Sequence, residues 1–107
     1  AGPPTGALRV GKLWIDRAAR SATINDRELS LTTYELDLLI ALAERAGRVL
    51  AREQLVELVR GSADEAFDRS IDVHISHLRR KLGDDSRQPR VLKTVRGVGY
   101  LLSPDAG

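Results

Sequence analysis

The sequence predicts an α+β domain: a small antiparallel sheet, then three helices, then a β-hairpin. Three observations point there. Short apolar runs separated by turn residues fill positions 7–31. Three stretches between 32 and 82 carry apolar residues at helical spacing, each followed by a glycine. Two further short runs, Val91 to Val95 and Val98 to Leu102, meet across Arg96-Gly97. That order, with a cationic third helix, is the order of a winged helix-turn-helix.

Ala1 to Gly6 holds two prolines and no core-forming side chain, so 1–6 reads as a linker end or a cloning scar. The domain proper is expected over 7–102, with 103–107 as a polar tail. Leu8 and Val10 alternate with polar neighbours, Gly11 breaks the run, and Leu13-Trp14-Ile15 follows. Arg20 to Ile24 and Arg27 to Leu31 flank Asn25-Asp26, a pair that tolerates positive φ and suits a tight hairpin. Strands this short are not stable alone and must pack on the helices.

The first helix has the clearest start. Thr32 and Glu35 are spaced as a capping box, and Leu31 and Leu36 are placed for a hydrophobic staple. Leu36, Leu39, Ile40 and Ala43 would form its buried stripe and Gly47 its stop. Val49-Leu50 reads as a brief extended link. The second helix is expected from about Arg52 to Arg60, stopped by Gly61. Ala51 occupies its cap position, where a serine or threonine would contribute roughly 1 kcal/mol. Gly61 to Phe67 is an acidic loop anchored by Phe67. The third helix spans 68–82, with Asp68 or Asp64 as candidate caps and Gly83 as the stop; Asp84 to Pro89 is a polar turn.

Composition narrows the function classes. With 42% apolar and 30% charged residues, the chain is ordinary for a globular domain. Having no cysteine, it can form neither a disulfide framework nor a cysteine-ligated metal site. It has no apolar run of membrane-spanning length and no signal peptide, so the expected location is the cytoplasm, with no membrane partner. The net charge of +2 is unevenly spread. Residues 1–68 carry 9 Lys/Arg against 11 Asp/Glu, whereas 69–107 carry 8 against 4. One face, not the whole surface, is therefore suited to a polyanion.

The third helix supplies that face. Ile71, Ile75, Leu78 and Leu82 form one apolar stripe. At about 100° per residue, the opposite face centres on Val73, Arg80, Arg69, Ser76 and His77. A helix buried on one side and cationic on the other fits the major groove of DNA, and an arginine-tipped hairpin fits a narrow minor groove.

Four blocks also carry a family resemblance. Leu31-Thr-Thr-Tyr-Glu-Leu-Asp-Leu-Leu39, Arg48-Val-Leu-Ala-Arg-Glu-Gln-Leu55, Asp68-Arg-Ser-Ile-Asp-Val-His-Ile75 with Leu78-Arg-Arg-Lys-Leu82, and Thr94-Val-Arg-Gly-Val-Gly-Tyr100 stand in a recognisable order. The chain resembles the OmpR/PhoB-type response-regulator C-terminal DNA-binding domain, in its CpxR/RstA-like form. The resemblance implies a four-stranded N-terminal sheet ahead of the three helices and the hairpin wing. It implies the output domain of a two-component transcriptional regulator, binding direct repeats in double-stranded promoter DNA when an upstream receiver domain, absent from this sequence, is phosphorylated. It also implies contact with RNA polymerase through the loop 61–67, although a passive linker suits that composition equally. The domain is expected to be a monomer alone and a dimer on DNA. Two departures from the family pattern are Ala51 and the Ser76-His77 pair.

The candidate DNA-binding residues are Arg69, Ser70, Val73, His74, Ser76, His77, Arg79, Arg80, Thr94 and Arg96. Ser70, Val73 and His77 are candidates for base edges, Val73 through a thymine methyl. Arg69, His74, Arg79 and Arg80 are candidates for phosphates, with an internal ion pair to Asp72 as the competing role for Arg79. Arg96 would enter the minor groove and Thr94 contact a phosphate. Gly97 and Gly99 would serve turn geometry and close approach to DNA. His74 and His77 stand three residues apart but lack further ligands, so no metal and no cofactor is expected. No oxyanion loop, phosphate loop or carboxylate pair accompanies them, so the chain does not read as an enzyme. Trp14, Tyr34 and Tyr100 are expected to pack, not to stack on bases. The alternative function is a winged-helix protein-interaction module whose basic face meets an acidic partner.

Overall fold

A computed structural model describes residues 7–59, 71–84 and 90–105. Four strands come first: β1 (Ala7–Val10), β2 (Leu13–Asp16), β3 (Ser21–Ile24) and β4 (Arg27–Glu28). Helix α1 (Thr33–Glu44), strand β5 (Leu50–Ala51) and helices α2 (Arg52–Leu58) and α3 (Ile71–Leu82) follow. Strands β6 (Leu92–Val95) and β7 (Gly99–Leu102) close the chain as the wing. This is the expected α+β winged helix.

The N-terminal sheet is antiparallel in the order β1-β2-β3-β4. Asn25 and Asp26 both adopt positive φ, 52° and 63°, as a two-residue hairpin requires. The resulting register pairs Leu13 with Ile24 and Ile15 with Ala22, so one face goes wholly into the core. The pairing of β4 is shorter than the expected run to Leu31. Leu29 still donates to the Ala22 carbonyl at 2.9 Å, but the chain then turns away to cap α1.

That cap forms as the Thr-x-x-Glu spacing predicts. The Glu35 N–H donates to Thr32 Oγ1 at 3.1 Å, and the Thr32 N–H donates to Glu35 Oε1 at 3.0 Å. The buried surface of α1 is wider than the expected stripe. Tyr34, Glu35, Leu38, Ala41 and Leu42 are buried too, while Ile40 is only half-buried. A one-face pattern assumes a helix lying on a surface. Here α1 is central and touches β1, β7, α2 and α3.

The Val49-Leu50 link proves to be part of a sheet. Leu50 pairs with Tyr100 and Ala51 with Gly99, giving a three-stranded sheet in the order β5-β7-β6. A Cβ on Gly99 would fall 1.9 Å from the Leu50 carbonyl oxygen, so the glycine is required for the close approach of β5. Gly97, at φ +75°, serves the wing turn as expected.

Ile71, Ile75, Leu78 and Leu82 are all buried, as the stripe on α3 predicts. Helix α2 is described only to its C-cap Val59, so its expected end at Arg60 and the Gly61 stop lie outside the described residues, as do Asp64, Phe67 and Asp68. Of the turn 84–89, Asp84 is described. Its carboxylate accepts from the N–H groups of Arg90, Val91 and Leu92 at 2.8–3.1 Å and so aims the chain into β6.

Candidate nucleic-acid interface

Helix α3 presents Val73, Ser76, His77 and Arg80 outward. Its two flanks are clamped to different parts of the fold, and the clamps decide which side chains stay on the surface.

On the flank facing α1, the anchor is Glu35, only 3% exposed. Besides closing the helix cap, its Oε1 accepts from Lys81 Nζ at 2.6 Å, and its Oε2 lies 4.0 Å from His77 Nδ1. Burial alone would raise the Glu35 pKa. The hydrogen bonds from Lys81 and the Thr32 N–H, with the charges of Lys81 and His77, outweigh burial and hold it below its ordinary value. One turn earlier, the His74 ring lies on the Tyr34 ring, centroids 4.2 Å apart and planes tilted by 31°.

On the flank facing the wing, Arg79 donates from Nε and Nη2 to the Leu92 carbonyl at 3.1 and 2.8 Å, and from Nη2 to Thr94 Oγ1 at 2.9 Å. Nearer the start of α3, Asp72 Oδ1 accepts from both Arg52 Nε, at 3.0 Å, and the Tyr100 hydroxyl. The Arg52 guanidinium lies 5.7 Å from the Tyr100 ring centroid. The Tyr100 hydroxyl holds the Asp72 carboxyl below its ordinary pKa against the opposing effect of burial, with the Arg52 guanidinium adding to the lowering. Burial, then the neighbouring Asp72 carboxylate, pushes the Tyr100 hydroxyl up.

The expected site residues therefore separate. Val73, Ser76, His77 and Arg80 share one outward face, and Arg96 is exposed at the wing turn. His74 is half-buried against Tyr34, and Arg79 is half-buried with its donors turned to β6. The internal partner of Arg79 is the β6 backbone, not Asp72. Thr94 is exposed and accepts from Arg79. Arg69 and Ser70 lie outside the described residues. Tyr34 and Tyr100 pack as expected, with Trp14 half-buried on the N-terminal sheet. No group of three His, Cys, Asp or Glu side chains among the described residues could hold a metal ion.

Sequence reasoning missed Glu35 and Lys81 as a pair, and Arg52 and Tyr100 as partners of Asp72. The capping spacing already accounts for Glu35 locally. Its second partner lies 46 residues away, where no periodicity reports it. A charged residue at a helix start, such as Arg52, gives no signal beyond ordinary surface.

Comparisons with known proteins agree with this geometry. The model of the family "Transcriptional regulatory protein, C terminal" matches residues 26–102. The transcriptional regulatory protein RstA of Escherichia coli (strain K12) is 44% identical over 103 residues, covering 96% of this chain and 43% of RstA. The chain thus spans less than half the length of that relative. Among solved structures, the Klebsiella pneumoniae RstA DNA-binding domain in complex with RstA box superposes with a TM-score of 0.81 at 39% identity, covering 92% of this chain and 97% of that one. The C-terminal effector domain of BfmR from Acinetobacter baumannii gives 0.78 at 41% identity, covering 100% and 98%. Among the described residues, no helix is long and apolar enough to cross a membrane.

Proposed function

The chain belongs to the family of C-terminal DNA-binding domains of transcriptional regulatory proteins, of OmpR/PhoB type, and from that premise we propose how it engages promoter DNA. It is a DNA-binding output domain, not an enzyme. Helix α3 lies in the major groove, and Arg96 on the wing enters the adjacent minor groove. One observation carries the reading: α3 is held on both flanks, and Val73, Ser76, His77 and Arg80 are exposed together on its outward face. A reader helix must not roll in the groove, because a roll of one residue exchanges the side chains at the base edges.

Val73 and His77 then reach base edges, Val73 against a thymine methyl, with Ser76 beside them, and Ser70 takes the same role. Arg69, Arg80 and Thr94 contact phosphates. Arg79 and His74 serve chiefly to orient α3, because their described contacts are with Leu92, Thr94 and Tyr34. The full-length protein carries an upstream receiver domain, binds direct repeats as a pair, and meets RNA polymerase through the loop 61–67. These last assignments follow the family.

Selection of bound sites from random duplex DNA tests the reading. It should return one half-site repeated in tandem. Val73→Ala should then weaken binding to that site more than to random duplex. An unenriched pool refutes the assignment of α3 as the reader, and equal losses on both duplexes remove Val73 from the base readout. Absence of salt-dependent binding to duplex DNA would favour the protein-interaction module.

A further inference from the structure

One residue on the outward face of α3 stands beside a buried charge. Glu35 is buried on α1, and its two carboxylate oxygens have different neighbours. Oε1 accepts twice, from the Thr32 N–H at 3.0 Å and from Lys81 Nζ at 2.6 Å. Those two donors hold the carboxylate in place, and Oε2 faces His77 Nδ1 at 4.0 Å. That separation is too long for a hydrogen bond but close enough for the carboxylate field to act on the ring. The His77 side chain is half-exposed, and its Nε2 stands at the tip of the ring, farthest from the helix backbone.

A neutral imidazole carries one proton, and its surroundings decide which nitrogen holds it. A carboxylate beside Nδ1 attracts an N–H there and repels a lone pair. We propose that Glu35 is a positioning residue for base readout: it keeps the proton of neutral His77 on Nδ1, so that Nε2 offers a lone pair to the major groove. That lone pair accepts from an exocyclic amino group, adenine N6 or cytosine N4, and is repelled by the acceptors N7 and O6. The inference rests on His77 as a base contact, as argued above. It adds the kind of base atom selected and the residue that sets the choice. Among the described residues, the charged and titratable groups around His77 are Tyr34 and Glu35 from α1, with His74, Arg80 and Lys81 on α3 itself. Lys81 is engaged by Glu35 Oε1, and the His74 ring lies on Tyr34. Protonating His77 removes the lone pair, so the selection belongs to the neutral ring alone.

The competing role is that Glu35 only caps α1 and clamps Lys81. Site selection with the wild-type chain and with His77→Ala first locates the base pair at which enrichment depends on His77. Each base pair holds one exocyclic amino group and one purine N7 in the major groove, so two analogue duplexes probe it on either strand. One lacks the amino group, and the other has carbon in place of N7. At about pH 8.5, losing the amino group should cost the wild-type chain about fivefold more affinity than it costs His77→Ala, whereas losing N7 should cost both alike. At about pH 5 that fivefold excess should vanish. Glu35→Gln should lack the excess at either pH. Lys81→Gln, which loses the same clamp but keeps the carboxylate beside His77, should retain it. Imidazole nitrogen NMR of the free wild-type chain should find the neutral ring protonated on Nδ1, and melting curves check that each variant is folded.

An excess cost for N7 at about pH 8.5, or a neutral ring protonated on Nε2, overturns the inference and leaves His77 a base contact. So does an amino-group excess that survives in Glu35→Gln or disappears in Lys81→Gln. If no enriched base depends on His77, or neither analogue separates the wild-type chain from His77→Ala, the base contact itself fails and the inference falls with it.

Discussion

Replacing Glu35 by glutamine is the sharpest test of the clamp that holds α3 on α1. The amide keeps an oxygen for the Thr32 N–H, so the α1 cap survives in Glu35→Gln. What is lost is the charge facing Lys81 across 2.6 Å. A charge-assisted hydrogen bond contributes about 1.5–3 kcal/mol. The Lys81 side chain is 35% exposed and can rehydrate, which places the loss at the lower end, about 2 kcal/mol. For a chain of 107 residues, an unfolding entropy of roughly 0.22 kcal/mol/K turns this into a Tm about 9 °C lower. The effect has a pH signature. The folded-state pKa of Glu35 is depressed, so its contribution is present above the unfolded glutamate value of about 4.3 and is lost as pH falls through the folded value. Thermal melts followed by circular dichroism should show the gap at pH 7 narrow as pH falls below the unfolded glutamate value. A gap as large at pH 3 as at pH 7, or none at pH 7, would refute the assignment of the charged pair as the clamp.

Further outcomes follow from other contacts. Ala51 already has cap geometry, φ −69° and ψ 158°, with no side-chain bond to the helix, so Ala51→Ser should raise Tm by about 4 °C, a gain of about 1 kcal/mol, at unchanged DNA affinity. A lower Tm would mean that the helix start is misplaced. Gly99→Ala puts a Cβ 1.9 Å from the Leu50 carbonyl and should part β5 from β7 at a cost of about 3 kcal/mol. Hydrogen exchange should show the loss first at those two strands, and unaltered protection would contradict the packing. Arg80→Gln should lower the salt slope of duplex binding by about one. Arg79→Gln should leave that slope in place while narrowing the affinity ratio between the selected site and random duplex. A full unit lost from the slope by Arg79→Gln would make Arg79 a phosphate contact after all.

Local chemistry determined a good deal of this protein. The capping box at Thr32 and Glu35, the Asn25-Asp26 hairpin, the apolar stripe of α3 and the arginine at the wing turn are each written in a few adjacent residues, and each stands where their spacing places it. Such features are legible because helix caps, tight turns and amphipathic periods depend on neighbours within about four residues. What only the tertiary structure decided depends on distant partners. It brought Leu50 to Tyr100 and made a sheet of a link, and it buried α1 on more than one side. It gave Glu35 a second task with Lys81, turned Arg79 inward to β6, and set Arg52 and Tyr100 on one oxygen of Asp72. The sequence could nominate a basic helix face. Which of its described cations are drawn into the fold was decided by distant partners: Glu35, 46 residues away, takes Lys81, and the Leu92 carbonyl takes Arg79.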